Sequence, residues 1–517
     1  MPSSALRGSR PGAAHPTSSG PPDVLRRRLA SPSVFLFVIL TAQLMVVLDA
    51  TIVNVALPHI QRSLDFSTST LSWVLNAYIL TFGGLLLLGA RAGDLFGRRR
   101  TLLVGIAVFT LSSLAGGFAP AGWVLLGARA AQGVGAALAA PSALSLLTSV
   151  FAEGPERVRA IGLYTTVSAA GGAGGLVTGG LLTEFVSWRW VMLVNVPIGL
   201  SVWLLGRIVI AENDRRRGRF DLAGALTSTL GVTGIVLGLV EAGTSGWTSP
   251  VTVAAFALGS VLLGAFVAQE TRADEPILPL RLLTHRTRTA ANLSRALLYA
   301  GFYGLFYFLG QFLQDVEGYS PLFTGLAFLP MPASVFLSSQ VASRVLLHRL
   351  SPKAVMSTGI AAATLGLSLA TQVGAHTGYP QIVLFLVLIG AGSGTAFVAL
   401  TSASLAEVAR SDAGAASGLV NMSQQIGAAL GLAVLVTVFE TLTGHVQLQS
   451  GTGSTAVAST VVHALDAVLG VGALFALAGL VTVLVGVRAT RARPVVPANS
   501  PGFAEEALET LAEACEA

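Results

Sequence analysis

From Ser33 onward the chain alternates between apolar runs and short breaks rich in Arg, Gly, Pro and Asp. Windows of about twenty residues, the length a helix needs to cross the ~30 Å hydrocarbon layer of a bilayer, mark fourteen such runs. The first follows an arginine cluster, Arg26 to Arg28, in the manner of a secretion signal. Its apolar stretch of roughly 25 residues is too long for a signal core and lacks a small-residue cleavage site, so it is expected to remain as the first helix. Pattern alone therefore predicts an all-α polytopic membrane protein with fourteen transmembrane helices.

Composition strengthens that reading. Of the 517 residues 53% are hydrophobic and 11% charged, against about 25% charged in soluble domains. A single cysteine, Cys515 in the C-terminal tail, excludes an intrachain disulfide and leaves no basis for a zinc cluster or a cysteine nucleophile. The net charge of +6 would suggest a nucleic-acid partner in a soluble protein, but the placement of the basic residues explains it. Arg98 to Arg100, Arg157 and Arg159, the 215–219 cluster, Arg281 to Arg288, Arg344 to Lys353 and Arg488 to Arg493 fall in every second connection or in a tail. The opposite connections hold only Arg62 and Arg189. By the positive-inside rule both termini are expected in the cytoplasm, and no nucleic acid is required. Residues 1–33 read as a disordered cytoplasmic tail and 488–517 as a second cytoplasmic tail.

The chain also repeats itself. Gly162, Gly171 and Gly175 in the fifth segment recur as Gly418, Gly427 and Gly431 in the thirteenth. GVGAAL from Gly133 in the fourth segment matches GSGTAF from Gly392 in the twelfth at a nearly equal offset. Duplicated helix bundles are common in transporters. The expected organisation is an N-terminal six-helix bundle over 34–210, a C-terminal one over 288–487, and two inserted transmembrane helices over 220–270.

LDATIVNVALPHI in the first segment, GDLFGRRR after the second, LLGARAAQGVGAAL in the fourth, the glycine series of the fifth and SWRWVMLVNVPIG entering the sixth occur in that order. Together they resemble the major facilitator superfamily, and within it the fourteen-helix drug/proton antiporter family, over nearly everything except the tails. The chain departs from the family's motifs at Ala90, where the loop motif begins with glycine, and at Leu176, where the fifth helix carries proline. The resemblance implies a major facilitator fold working by alternating access. It also implies proton coupling at the positions of Asp49 and Arg129, with no cofactor beyond a proton gradient.

The residues themselves point the same way. Asp49 is a full negative charge in the first apolar run, and a carboxylate at helix depth costs about 2.5–3.5 kcal/mol on insertion scales. Burial disfavours its charged form and a nearby cation favours it. Arg129, inside the fourth segment, supplies that cation, and the balance suits a reversible proton site. The repeat aligns Arg129 with Leu388, so the arginine belongs to the N-terminal half alone. The plainer alternatives are an Asp49 solvated near the outer interface and an Arg129 bonded to helix-end carbonyls. No histidine lies mid-helix, since His59 and His376 sit at outer ends.

In the GDLFGRRR loop, Asp94 is expected near the start of the third helix, accepting from its amides. Gly97, Arg98 and Arg99 complete a gating loop whose arginines pair with acids on neighbouring cytoplasmic loops. Gly171, Gly175 and Gly179 recur every four residues and strip side chains from one helix face, Gly162 is counted with them as a packing glycine, and a tight seam between the two halves is the expected result.

The ninth segment places Arg295, Tyr299, Tyr303, Tyr307 and Gln311 four residues apart, a stripe that drifts slowly around a helix and can line a cavity wall. An interfacial aromatic belt is the alternative. Asn54, Trp73, Asn76, Tyr78, Gln132, Asn421, Gln424 and Gln425 complete a broad, modestly polar cavity suited to amphipathic organic molecules rather than bare ions. The expected function is a monomeric, multi-pass, proton-coupled antiporter of the plasma membrane that exports drug-like or antibiotic-like small molecules. A major facilitator importer of a small polar solute by proton symport is the alternative, followed by a non-transporting sensor. An enzyme is not expected, because the loops hold no paired carboxylates, metal-ligand spacing or phosphate-binding glycine loop.

Overall fold

The computed structural model describes residues 32–488 apart from 152–154, 212–220, 274–275, 277, 373, 375–376, 407, 409–412 and 444–454. Nearly all of both tails, the centre of the 441–462 loop and His376 therefore lie outside the described residues. Among the described residues, 14 helices are long and apolar enough to cross a membrane. The first six are α1 (Pro32–Leu64), α2 (Thr68–Phe96), α3 (Arg98–Gly117), α4 (Gly122–Val150), α5 (Arg159–Phe185) and α6 (Arg189–Val209). Then come α7 (Leu222–Ser245), α8 (Pro250–Glu270), α9 (Arg286–Val316) and α10 (Pro321–Arg349). The last are α11 (Pro352–Ala370), α12 (Tyr379–Leu405), α13 (Gly414–Thr443) and α14 (Val462–Gly486). Among the described residues there is no strand.

Local chemistry sets the breaks. Ser67, Ser320 and Ser351 accept backbone N–H groups at the starts of α2, α10 and α11, and Asp221 does so for α7. Proline opens α8, α10 and α11, where a missing N–H costs nothing. Between α2 and α3 the chain turns at Gly97 with φ 100°, a conformation only glycine adopts cheaply.

Each half is held by close backbone contact through glycines, the means by which helices associate in lipid. α4 lies against α2 where Gly133 meets Tyr78 and Thr81, and against α3 where Gly135 meets Gly105 and Phe109. α12 lies against α10 where Gly390 meets Met331 and Ser334, and against α11 where Gly392 meets Gly359 and Ala363. The same packing thus appears twice, but it pairs Gly133 with Gly390 rather than with Gly392. The counterpart of Arg129 is accordingly the buried Leu386, not Leu388. α7 covers the contact between α2 and α13, with Gly84 against Thr229 and the Thr437 hydroxyl donating to Leu239 O at 2.5 Å. α8 packs on α7 through Gly259 and Gly234.

An even number of spans among the described residues leaves the start of α1 and the end of α14 on one face, the chain-end face. On the opposite face the two halves are joined. Tyr307 Oη donates to Thr68 O at 2.7 Å, and Gln314 Nε2 to Val55 O at 2.9 Å. Glu184, at the end of α5, accepts from the Ser320 hydroxyl at 2.6 Å and the Leu322 amide at 2.9 Å, at the start of α10. Toward the chain-end face the same two helices are open: no residue of 161–170 is buried, and from Val335 to Arg349 only Ala342 is. Between α5 and α10 the molecule is thus closed on one side and exposed on the side of its termini, while α2 and α13 stay in contact there through Leu87 and Gly418.

Candidate functional site

Five helices converge on the carboxylate of Asp49, which is fully buried. From α4, Arg129 Nη1 lies 2.5 Å from Oδ2. Gln132, one turn further along α4, donates to Oδ1 at 3.1 Å, and Asn195 of α6 donates to the same oxygen at 2.8 Å. Gln132 also donates to Ser113 Oγ of α3 at 2.6 Å. Arg129 is 1% exposed and has partners besides the carboxylate: Val74 O of α2 at 2.9 Å, Gln132 Oε1 at 3.0 Å, and the face of the Tyr78 ring at 4.4 Å. Charge-assisted bonds of this kind are among the stronger ones, and they fix the carboxylate between α4 and α6. Should the carboxylate take up a proton, the guanidinium still has two acceptors and an aromatic face to hold it. Asn195 and Ser113 escaped the sequence reading. Asn195 is a polar residue in the apolar VMLVNVPIG, a signal of the same kind as Asp49 but without charge. Ser113 gave no signal.

The gating loop differs from expectation. Asp94 lies in the last turn of α2, not at the start of α3, and accepts from Arg98 at 3.0 Å. Arg98 also reaches Ser145 O of α4 at 3.4 Å, and Arg99 donates to Arg207 O at the end of α6 at 2.6 Å. These bonds tie α2, α3, α4 and α6 together within the N-terminal half. Arg99 caps a carbonyl in the last turn of α6, which has no intrahelical donor, whereas Arg98 shares the Ser145 carbonyl with the Thr148 hydroxyl.

The glycine series is also corrected. Gly171 faces Leu44 and Val47, Gly175 faces Leu48 and Thr51, and Gly179 faces Ile52, so the series seats α5 on α1 inside one half. Gly427 against Ala296 and Gly431 against Ala300 seat α13 on α9 in the same way. Gly162 has open space around it and packs against nothing. Glycine contacts between the halves are instead Gly180 against Pro321 and Leu322, Gly325 against Leu176, Gly83 against Gln425 and Gly418 against Leu87.

The stripe on α9 divides by depth. Tyr299 and Tyr303 are half-buried and belong to an aromatic run: Tyr299–Tyr303 centroids are 6.3 Å apart, Phe302–Phe306 5.2 Å and Phe306–Phe328 5.1 Å. Tyr307 and Gln311 are buried in the closed seam rather than on an open wall. Tyr78 lies under Arg129 and Gln132 beside Asp49, both fully committed to the ion pair. Asn54 is buried and donates to Ala50 O and Thr51 O of its own helix. Gln425 is buried against Gly83 where α13 meets α2, whereas Asn421 is exposed and donates to Ser417 O. No group of metal-ligating side chains is present among the described residues.

Comparison with known proteins places this geometry in context. A profile described as Major Facilitator Superfamily matches residues 39–432. The chain is 42% identical to the puromycin resistance protein pur8 of Streptomyces alboniger over 88% of its own length and 91% of the relative's. It is 41% identical to the cephamycin export protein CmcT of Amycolatopsis lactamdurans, covering 77% of this chain and 83% of that one. Among solved structures, it resembles a bacterial homolog of the human lysosomal transporter Spinster in an inward-facing, unoccupied conformation. The TM-score is 0.64 at 17% identity, over 88% of this chain and 96% of that one. At that identity the likeness concerns the fold.

Proposed function

Because the chain belongs to the major facilitator superfamily, we propose that it is a proton-driven antiporter that exports amphipathic, drug-like or antibiotic-like molecules across the plasma membrane. The observation that carries the proton part is the Asp49 carboxylate, buried in the bilayer-spanning region and held by donors from α4 and α6. Intramembrane carboxylates of this kind belong to proton relays far more often than to scaffolding. The export part is supported by the relatives named for antibiotic resistance and export.

In this reading the monomer has both termini in the cytoplasm, so the open side loads cargo from the cell. Cargo enters between α5 and α10 and meets the Tyr299 and Tyr303 run. Proton arrival at Asp49 from outside and cargo departure then alternate as the halves rock, closing the inner mouth and parting the outer seam. No cofactor and no nucleic acid takes part. One net charge moving through 100 mV supplies about 2.3 kcal/mol, and each tenfold of accumulation costs about 1.4 kcal/mol, so one charge sustains on the order of a fifty-fold gradient.

Puromycin accumulation in proteoliposomes is the test. Vesicles in which cytoplasmic surfaces face outward and the lumen is acid should accumulate the drug above its passive level, and collapsing the pH difference should remove the excess. Accumulation that is the same with and without the gradient, or absent in both, would overturn the reading.

A further inference from the structure

Among the described residues of the C-terminal half, Arg295 is the one arginine whose burial the fold leaves unexplained. It lies nine residues into α9, about 14 Å along the helix axis from the chain-end face, and is fully buried. Its Nη2 donates to the Thr401 hydroxyl of α12 at 2.7 Å, and the Phe397 ring lies over the guanidinium with its centroid 4.9 Å away. Its Nε and Nη1 are buried without an acceptor, and no described carboxylate pairs with it. Its neighbours show what a structural role would look like. Arg288, two turns earlier, spends Nε and Nη2 on Ser404 O and Ala406 O at the end of α12. Arg129, equally buried, has a carboxylate, a carbonyl and an amide oxygen.

A guanidinium does not give up its proton in a protein, and an ion held out of water without a counter-charge costs several kcal/mol. The two unused N–H donors therefore mark the place of an anion that is bound only during part of the cycle. The surroundings say where it comes from. Phe397, which covers the guanidinium, is 40% exposed, and Thr401 and Tyr299 are half-buried, so the group sits one side chain behind the open mouth. One turn further on, the Tyr299, Phe302 and Tyr303 rings offer an aromatic surface beside it. We propose that Arg295 is the anion-recognising group of the cargo site, and that the molecules it selects join an aromatic body to a carboxylate or similar acidic group. This inference rests on the exporter reading and adds acidic aromatic molecules to its cargoes, a class that puromycin, an amine, does not represent. Phe397 swings aside to admit the acid, whose oxygens then replace the missing acceptors in the plane of the guanidinium.

The test uses the full chain in lipid nanodiscs with two probes that share one ring system, 1-naphthylacetate and the neutral 1-naphthylacetamide, titrated by calorimetry. Wild type should bind the acid more tightly than the amide. Arg295→Gln should lower the acid-to-amide affinity ratio at least tenfold. Should that variant fail to fold, Arg295→Lys, which keeps the charge but loses the planar fork, should lower the ratio at least threefold. An unchanged ratio in the folded variant, or a wild type without preference for the acid, overturns the assignment. Puromycin accumulation in wild-type vesicles separates the two levels: if it occurs while the ratio is unchanged, only the role of Arg295 falls, and if it does not occur, the exporter reading falls.

Discussion

Asp49 and Arg129 stand 80 positions apart in the chain, yet their side chains meet at 2.5 Å with both excluded from solvent. Each is tied to further helices: Asp49 to α6 through Asn195, Arg129 to α2 through Val74 O. A change of charge at this one carboxylate therefore alters the attachment of α1 to α4 and α6 together.

Asp49→Asn fixes the neutral form. The protein should fold and bind cargo, but accumulation should fall from about fifty-fold, the limit set by one charge at 100 mV, to the passive level. Cargo-for-cargo exchange should survive, because it needs no net proton transfer. Proton release on cargo binding in detergent is the direct measurement, and a release undiminished in Asp49→Asn would transfer the role to another carboxylate.

Arg129→Ala and Asn195→Ala remove, respectively, a positive charge and a neutral donor from the same carboxylate. Each leaves the buried carboxylate one donor short, so gradient-driven accumulation should fall in both and the unfolding temperature with it. A bond to a charged group is worth roughly 1.5–3 kcal/mol, which sets the stability loss expected for Asn195→Ala, with a larger one for Arg129→Ala, where a buried charge is left unpaired. Unchanged accumulation and unfolding temperature in both variants would argue against the site.

The gating loop offers two separable changes. Gly97→Ala forces a side chain into φ 100°, at a cost of about 1–3 kcal/mol, and should lower the unfolding temperature. Asp94→Asn leaves the backbone alone but weakens the bond to Arg98. It should slow transport severalfold while cargo binding, followed by calorimetry, stays measurable.

Gly175→Leu and Gly162→Leu make a matched pair. The first drives a side chain into Thr51 and the Leu48 carbonyl and should abolish stable expression or cost several degrees in unfolding temperature. The second points into open space and should leave both unchanged. Equal sensitivity of the two sites would argue against the α1–α5 packing.

Tyr303→Ala removes the middle ring of the α9 aromatic run. Stacking between rings is worth about 0.5–1.5 kcal/mol beyond burial, so affinities for flat aromatic compounds should drop three- to tenfold relative to aliphatic ones. A uniform loss across both classes would remove Tyr303 from the cargo surface.

Helix number and limits were legible because a bilayer imposes one length on every span and tolerates few charges within it. The proximity of Asp49 and Arg129 was legible for the same reason, since two opposite charges inside apolar runs have few other partners. The direction in which a glycine face points was not. Gly162 lies nine residues before Gly171, half a turn round the helix, so it points away from the face that α1 covers. The internal register slipped by two residues because IGAGSG carries overlapping glycine pairs, and backbone contacts with α10 and α11 are what distinguish Gly390 and Gly392 from Gly392 and Gly394. Neutral polar residues such as Asn195 and Ser113 have no periodicity to reveal which neighbour they serve.

The seating of α5 gives it a mechanical character. Over its middle turns it is bedded on α1 through Gly171, Gly175 and Gly179, a backbone-close bearing with no long side chains to flex. At its outer end, about 14 Å beyond Gly175 at 1.5 Å per residue, Glu184 clasps Ser320 and Leu322 of α10. The helix that carries Asp49 and the clasp that shuts the far side are thus joined by a single stiff member. Tilting α1 by about five degrees displaces Glu184 by about an ångström over that arm, which stretches both hydrogen bonds to the neighbouring helix.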